Sequence, residues 1–206
     1  MMLFKLSIQN LHKSLKDYTI YFATLIIGTM IQQIGLLIGG STGNVIYLLG
    51  KAAAALTSAG IGVGVAVKYG ESPLVTVSAA VAAMVGGYAG KITGGTFFVD
   101  GNAVLAGPGE PLGAFIAAFA GITCGHLVSG KTKVDIIVTP VITIGAGSVV
   151  GLLVGPPISQ MMTGLGSIIN WATEQRPFIM GIVVSVVMGM VLTLPISSAA
   201  LGIILN

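Results

Sequence analysis

The sequence predicts an all-α fold, a polytopic transmembrane helical bundle of about six to seven spans with an amphipathic helix at its start and room for re-entrant segments. Three observations carry that expectation. Of the 206 residues, 54% are hydrophobic and only 7% are charged, whereas a soluble domain carries about 25% charge. Long apolar runs recur along the chain, each near the ~20 residues that a helix needs to cross a bilayer. Most of the nine Lys and Arg residues fall before the first run or in alternate connections between the runs, the asymmetry that orients membrane proteins. Gly contributes 31 residues, well above the usual ~7%. Lipid is the solvent that suits such a chain.

Residues 1–17 read as an interfacial helix. Phe4, Ile8, Leu11, Leu15 and Tyr18 recur at helical spacing, while Lys5, His12, Lys13 and Lys16 lie away from that stripe. Tyr18–Ile38 exceeds the ~7–15 apolar residues of a signal peptide, and no small-x-small site closes it, so it reads as an uncleaved first span. Val45–Val67, Pro73–Tyr88, Leu112–Val128, Ile136–Val154 and Phe178–Leu194 follow as further spans, and residues 18–206 form one transmembrane domain. Ile158–Thr173 is more polar, with Gln160, Asn170 and Trp171; it fits a further crossing, a re-entrant hairpin or an interfacial helix. The final stretch, Ile196–Asn206, is too short to span alone.

A cytoplasmic N-terminus places Lys5, Lys13, Lys16, Lys68, Lys131 and Lys133 inside, with Arg176 as well if Ile158–Thr173 crosses. Lys91 falls outside and Lys51 lies within a span. Glycines four apart, at Gly60/Gly64, Gly86/Gly90, Gly147/Gly151 and Gly151/Gly155, let helix backbones approach closely in lipid. The Gly-rich connection Lys91–Pro111 has an extended look and contains Asp100, Asn102 and Glu110. Irregular backbone near a membrane is tolerated only against protein or a watery cavity, so this is the first place to look for a bound solute.

Gly125–Thr132 fits the phosphate-loop pattern G-x-x-x-x-G-K-[ST]. That chemistry needs a strand before the loop, and here a membrane segment precedes it, so the motif reads as a short cytoplasmic connection. His126 is either a proton relay or sugar contact, or a solvated interfacial residue. Lys51 either snorkels to the outer interface or pairs with an acid in the interior. Asp135 reads as interfacial. The single cysteine, Cys124, excludes an intramolecular disulfide and reads as a buried small side chain. No catalytic triad or metal-ligand spacing occurs, and no cofactor is implied. The net charge of +3 is spread out, unlike a nucleic-acid-binding surface.

From Gly107 onward the chain resembles the membrane (IIC) component of phosphotransferase-system sugar permeases, of the compact sugar-specific type. The likeness rests on Gly107–Gly113, Lys131–Pro140, Gly155-Pro-Pro157, Ile169-Asn170, Thr173–Gly181 and Leu192–Ala200, and reaches back weakly to about Ile34. It implies a permease in the bacterial cell membrane that moves a sugar while IIA and IIB phosphocarrier proteins, on separate chains, pass phosphate to it. A homodimer is an assembly it allows. The resemblance also implies that Glu110, in Gly109-Glu110-Pro111, binds sugar hydroxyls; Asn102, Asp100, His126 and Lys51, singled out above from the residues, are further candidate contacts. A second resemblance, carried by Leu6–Tyr18, is to the opening of FtsX-like ABC exporter permeases. The alternatives to a sugar permease are therefore an ABC-type exporter permease and a shortened membrane regulator that does not transport.

Overall fold

A computed structural model describes residues 23–99, 102–103, 107, 109–174, 180–186 and 189. Its elements, in order, are α1 (Ala23–Ile38), α2 (Gly40–Ala55), α3 (Thr57–Lys68), α4 (Pro73–Gly87), α5 (Ala89–Thr93), β1 (Phe98–Val99), β2 (Asn102–Ala103), α6 (Pro111–Val128) and α7 (Asp135–Thr173). The expected interfacial helix over residues 1–17 lies outside the described residues, as do the start of the first predicted span and parts of Phe178–Leu194.

The chain reverses between α1 and α2 at Gly39 and Gly40, both with positive φ, a conformation that only glycine adopts freely. The two helices then run back to back. A Cβ on Gly35 would stand 2.5 Å from the Tyr47 backbone nitrogen, and one on Gly50 would stand 2.6 Å from that of Gln32. Glycine therefore lets backbone meet backbone.

At Leu56 the next predicted span is broken: α2 and α3 meet at a 42° bend. α4 starts cleanly, with Pro73 in its first turn and the Ser72 side chain accepting from Val75 N at 3.4 Å, the usual start signals of a helix. It is the central helix, packed by α3, α6 and α7. Between these helices lie Ile61, Val65, Val75, Ala79, Ala83, Ala114, Phe115, Ala118 and Ile122, all buried.

The close approaches again use small residues. A Cβ on Gly62 would stand 2.5 Å from Ala79 O, one on Gly86 2.5 Å from Gly113 O, and one on Gly147 2.7 Å from Ala117 O. The Gly147/Gly151/Gly155 stripe of α7 thus faces Ala82, Gly86 and Ala89.

α7 runs for 39 residues through Pro140, Pro156 and Pro157, about 58 Å at 1.5 Å per residue. Ile136–Val154 and Ile158–Thr173 are therefore one continuous helix, which corrects the expectation of two separate segments. Beyond Ser159 the helix packs Met162 and Ile169 against Leu112, Val183 and Val184.

The described helices give fewer crossings than the sequence suggests. α6 and Asp135–Trp171 are long and apolar enough to cross a membrane, and the bent α2–α3 pair makes a third if it counts as one span. α4 and the described apolar part of the first helix, Ile26–Ile38, are shorter. Among the described residues, the two-residue β1–β2 pair departs from the expected all-α fold. Large apolar side chains point outward, Leu37 at 86% exposure and Ile136 at 74%; lipid accommodates such a surface and water does not.

Candidate functional site

Three helix interruptions meet at one end of α4: the bend at Leu56, the stop at Tyr88 between α4 and α5, and the start of α6 at Glu110. Tyr88 is 1% exposed and joins them. Its hydroxyl donates toward Ala55 O at 3.3 Å, at the α2–α3 break, and also toward Gly107 O, in the connection before α6. Its ring packs on Phe97 at 5.7 Å between centroids, and Lys91 Nζ lies 5.5 Å from its centre, within cation–π range.

Gly109 completes the knot. Its φ of +73° suits glycine, and a Cβ there would stand 2.7 Å from Ser58 Oγ and 2.9 Å from Gly87 O. The next residue, Glu110, donates its backbone N–H to Gly87 O at 2.6 Å, so the first turn of α6 is tied to the last turn of α4. The backbone thus places Glu110 here, and its side chain makes no capping hydrogen bond.

One carboxylate oxygen, Oε2, is buried with no hydrogen-bond partner. Burial pushes the carboxyl up to about 7, against the opposing pull of the Lys91 cation. Burial likewise lowers Lys91, with Glu110 opposing. The place combines a helix N-terminus, which favours negative charge, with a carboxylate atom awaiting a donor.

Glu110, His126 and Lys51 lie in different parts of the fold. Glu110 is in the knot. Asn102 is on β2, in the connection that leads to it, and Asp100 lies outside the described residues. His126 sits at the other end of α6, about 24 Å along the helix from Glu110. It is 71% exposed, with Nδ1 2.9 Å from Oε1 of the buried Glu71. Lys51 is exposed on α2 and has no acidic partner among the described residues. The sequence reading missed Tyr88 and Ser58. Nothing in periodicity marks them, because their role depends on breaks that only the fold reveals.

The phosphate-loop look-alike is a helix–turn–helix. α6 precedes it, the Gly130 N–H donates to Asp135 Oδ1 at 3.0 Å, and Lys131 Nζ donates to Leu127 O at 2.7 Å. The Asp135 carboxylate, which also accepts from Thr139 Oγ1 at 2.6 Å, thus takes up the Gly130 N–H and ties the turn to the start of α7. Cys124 is half-buried, less enclosed than expected. Among the described residues no three His, Cys, Asp or Glu side chains group as metal ligands.

A family model described as "Phosphotransferase system, EIIC" matches residues 19–206. The match reaches further back than the motifs read in the sequence, and the FtsX-like stretch Leu6–Tyr18 precedes it. No curated protein and no solved structure matches the chain.

Proposed function

The chain belongs to the phosphotransferase-system EIIC family, and from this premise we propose that its sugar binds at the knot of broken helices around Glu110. As an EIIC component it is the membrane permease of a sugar phosphotransferase system and works with IIA and IIB components. The observation that supports the site is the buried Oε2 of Glu110 without a partner. Sugar hydroxyls are donors of the kind it lacks, and hydrogen bonds to charged groups contribute roughly 1.5–3 kcal/mol. Discontinuous helices are also the usual way in which transporters bring helix termini and freed carbonyls to a solute.

Asn102 and Asp100, on the connection leading to the knot, are the next candidates in this reading; His126 and Lys51 are not placed in it. The N-terminus is cytoplasmic, the chain crosses the membrane several times, the IIA and IIB partners are separate chains, and the permease forms a homodimer. The charge asymmetry supports the orientation, since Lys68, Lys131 and Lys133 lie at the end of the helices opposite Lys91.

The test is direct binding. In the purified chain, Glu110→Gln lowers affinity for a sugar that the wild type binds by about tenfold or more, since 1.4 kcal/mol is one decade. Wild-type affinity in the variant refutes the site.

A further inference from the structure

Five buried side-chain atoms among the described residues have no hydrogen-bond partner: Thr57 Oγ1, Tyr69 OH, Glu110 Oε2, Thr143 Oγ1 and Ser148 Oγ. Buried polar atoms left without a partner are rare in folded proteins, and each calls for an explanation. Tyr69 packs on Phe119 and Thr143 lies against Gly125, both toward the His126 end. Ser148 lies along α7. Two of the five belong to the knot.

Thr57 is 0% exposed and is the first residue of α3, directly after the bend. Its predecessors include Ala55, whose carbonyl accepts from Tyr88. Its successor Ser58 is wedged against Gly87 and Gly109, the residue before Glu110. Thr57 and Glu110 are thus each one residue away from the Ser58–Gly109 contact at this junction, and each has a buried side-chain oxygen without a partner.

Their chemistry is complementary to one class of ligand. A carboxylate only accepts, whereas a threonine hydroxyl can donate one proton and accept others. Together they match an alcohol, whose O–H donates to the first and whose lone pairs accept from the second.

We propose that Thr57 is a second sugar-binding residue, its hydroxyl pairing with a hydroxyl group of the same sugar that Glu110 engages. The inference rests on the site proposed above and adds its specificity. A hydroxyl-lined pocket rejects analogues that lack the matching OH, because the buried protein groups are then left unpaired.

The test uses the purified full chain and three tritiated probes, glucose, fructose and galactitol, in equilibrium binding. At least one probe binds saturably to the wild type. Thr57→Val, which keeps the shape and removes the hydroxyl, weakens that binding about five- to tenfold, and Thr57→Ser restores most of it. The melting temperature of sugar-free Thr57→Val equals or exceeds that of the wild type, since no protein hydrogen bond is lost.

If Thr57→Val binds normally while Glu110→Gln is weakened, the Thr57 inference falls and the Glu110 site stands. If neither variant is weakened, or no probe binds saturably, both fall. If Thr57→Val and Thr57→Ser lose binding together with a lowered melting temperature, Thr57 is a packing residue and the inference is overturned.

Discussion

Replacing Glu110 by Gln changes how the protein's stability depends on pH. In the folded chain burial raises the Glu110 carboxyl from 4.5 to about 7, so between those values the folded state binds a proton that the unfolded chain has released. The stabilisation from holding that proton is fully present below about 4.5 and is lost as pH rises through about 7. A displacement of that size corresponds to roughly 3 kcal/mol at most. For a chain of this size each kcal/mol moves the melting temperature by about 2–4 °C.

The amide introduced by Glu110→Gln has no proton to lose. The melting temperature of this variant, read against the wild type in the same detergent from pH 4 to 8.5, falls relatively less on the alkaline side. Above about pH 7 the variant therefore gains on the wild type by several degrees. The loss of a partner for Lys91 trims that gain. His126, Glu71 and Asp135 are common to both proteins, so the difference isolates Glu110. Parallel profiles for the two proteins refute the claim that Glu110 is buried and short of partners.

Three further outcomes follow from the packing and the turns. Gly86→Ala puts a methyl group against Gly113 O, and overpacking of this kind costs about 1–3 kcal/mol; thermal melting in detergent measures it. Tyr88→Phe removes the donor shared with Ala55 O and Gly107 O and destabilises by roughly 1–3 kcal/mol, since buried acceptors are left unpaired. Lys131→Ala leaves ATP binding absent, as in the wild type, because Asp135 already occupies the Gly130 N–H; saturable ATP binding lost in this variant refutes that reading.

Much of the helical pattern was legible because lipid imposes a simple demand. Every span must be apolar and must satisfy its own backbone, so the runs Pro73–Tyr88 and Leu112–Val128 return almost unchanged as α4 and α6. The close packing of Gly86 and of the Gly147/Gly151/Gly155 stripe was legible for the same reason. The α2–α3 break was not, because neither Leu56 nor Thr57 is a helix breaker and the bend is held by Tyr88 from another helix. The continuity of α7 was hidden by the opposite signal. Gly155-Pro156-Pro157 reads as a stop, yet α7 continues through it. Glu110 could be picked out by its Gly and Pro neighbours, whereas Thr57 looked like any threonine in an apolar run.

The glycine and alanine seams also set how the molecule can flex. Where backbones touch directly there are no rotamers to rearrange, so neighbouring helices cannot slip past one another by small steps. These seams join α3, α4, α6 and α7 on one side of the Leu56 bend and α1 to α2 on the other. Any change in that bend would load the Tyr88–Ala55 hydrogen bond, which spans it, before the Glu110 N–Gly87 O bond, which does not.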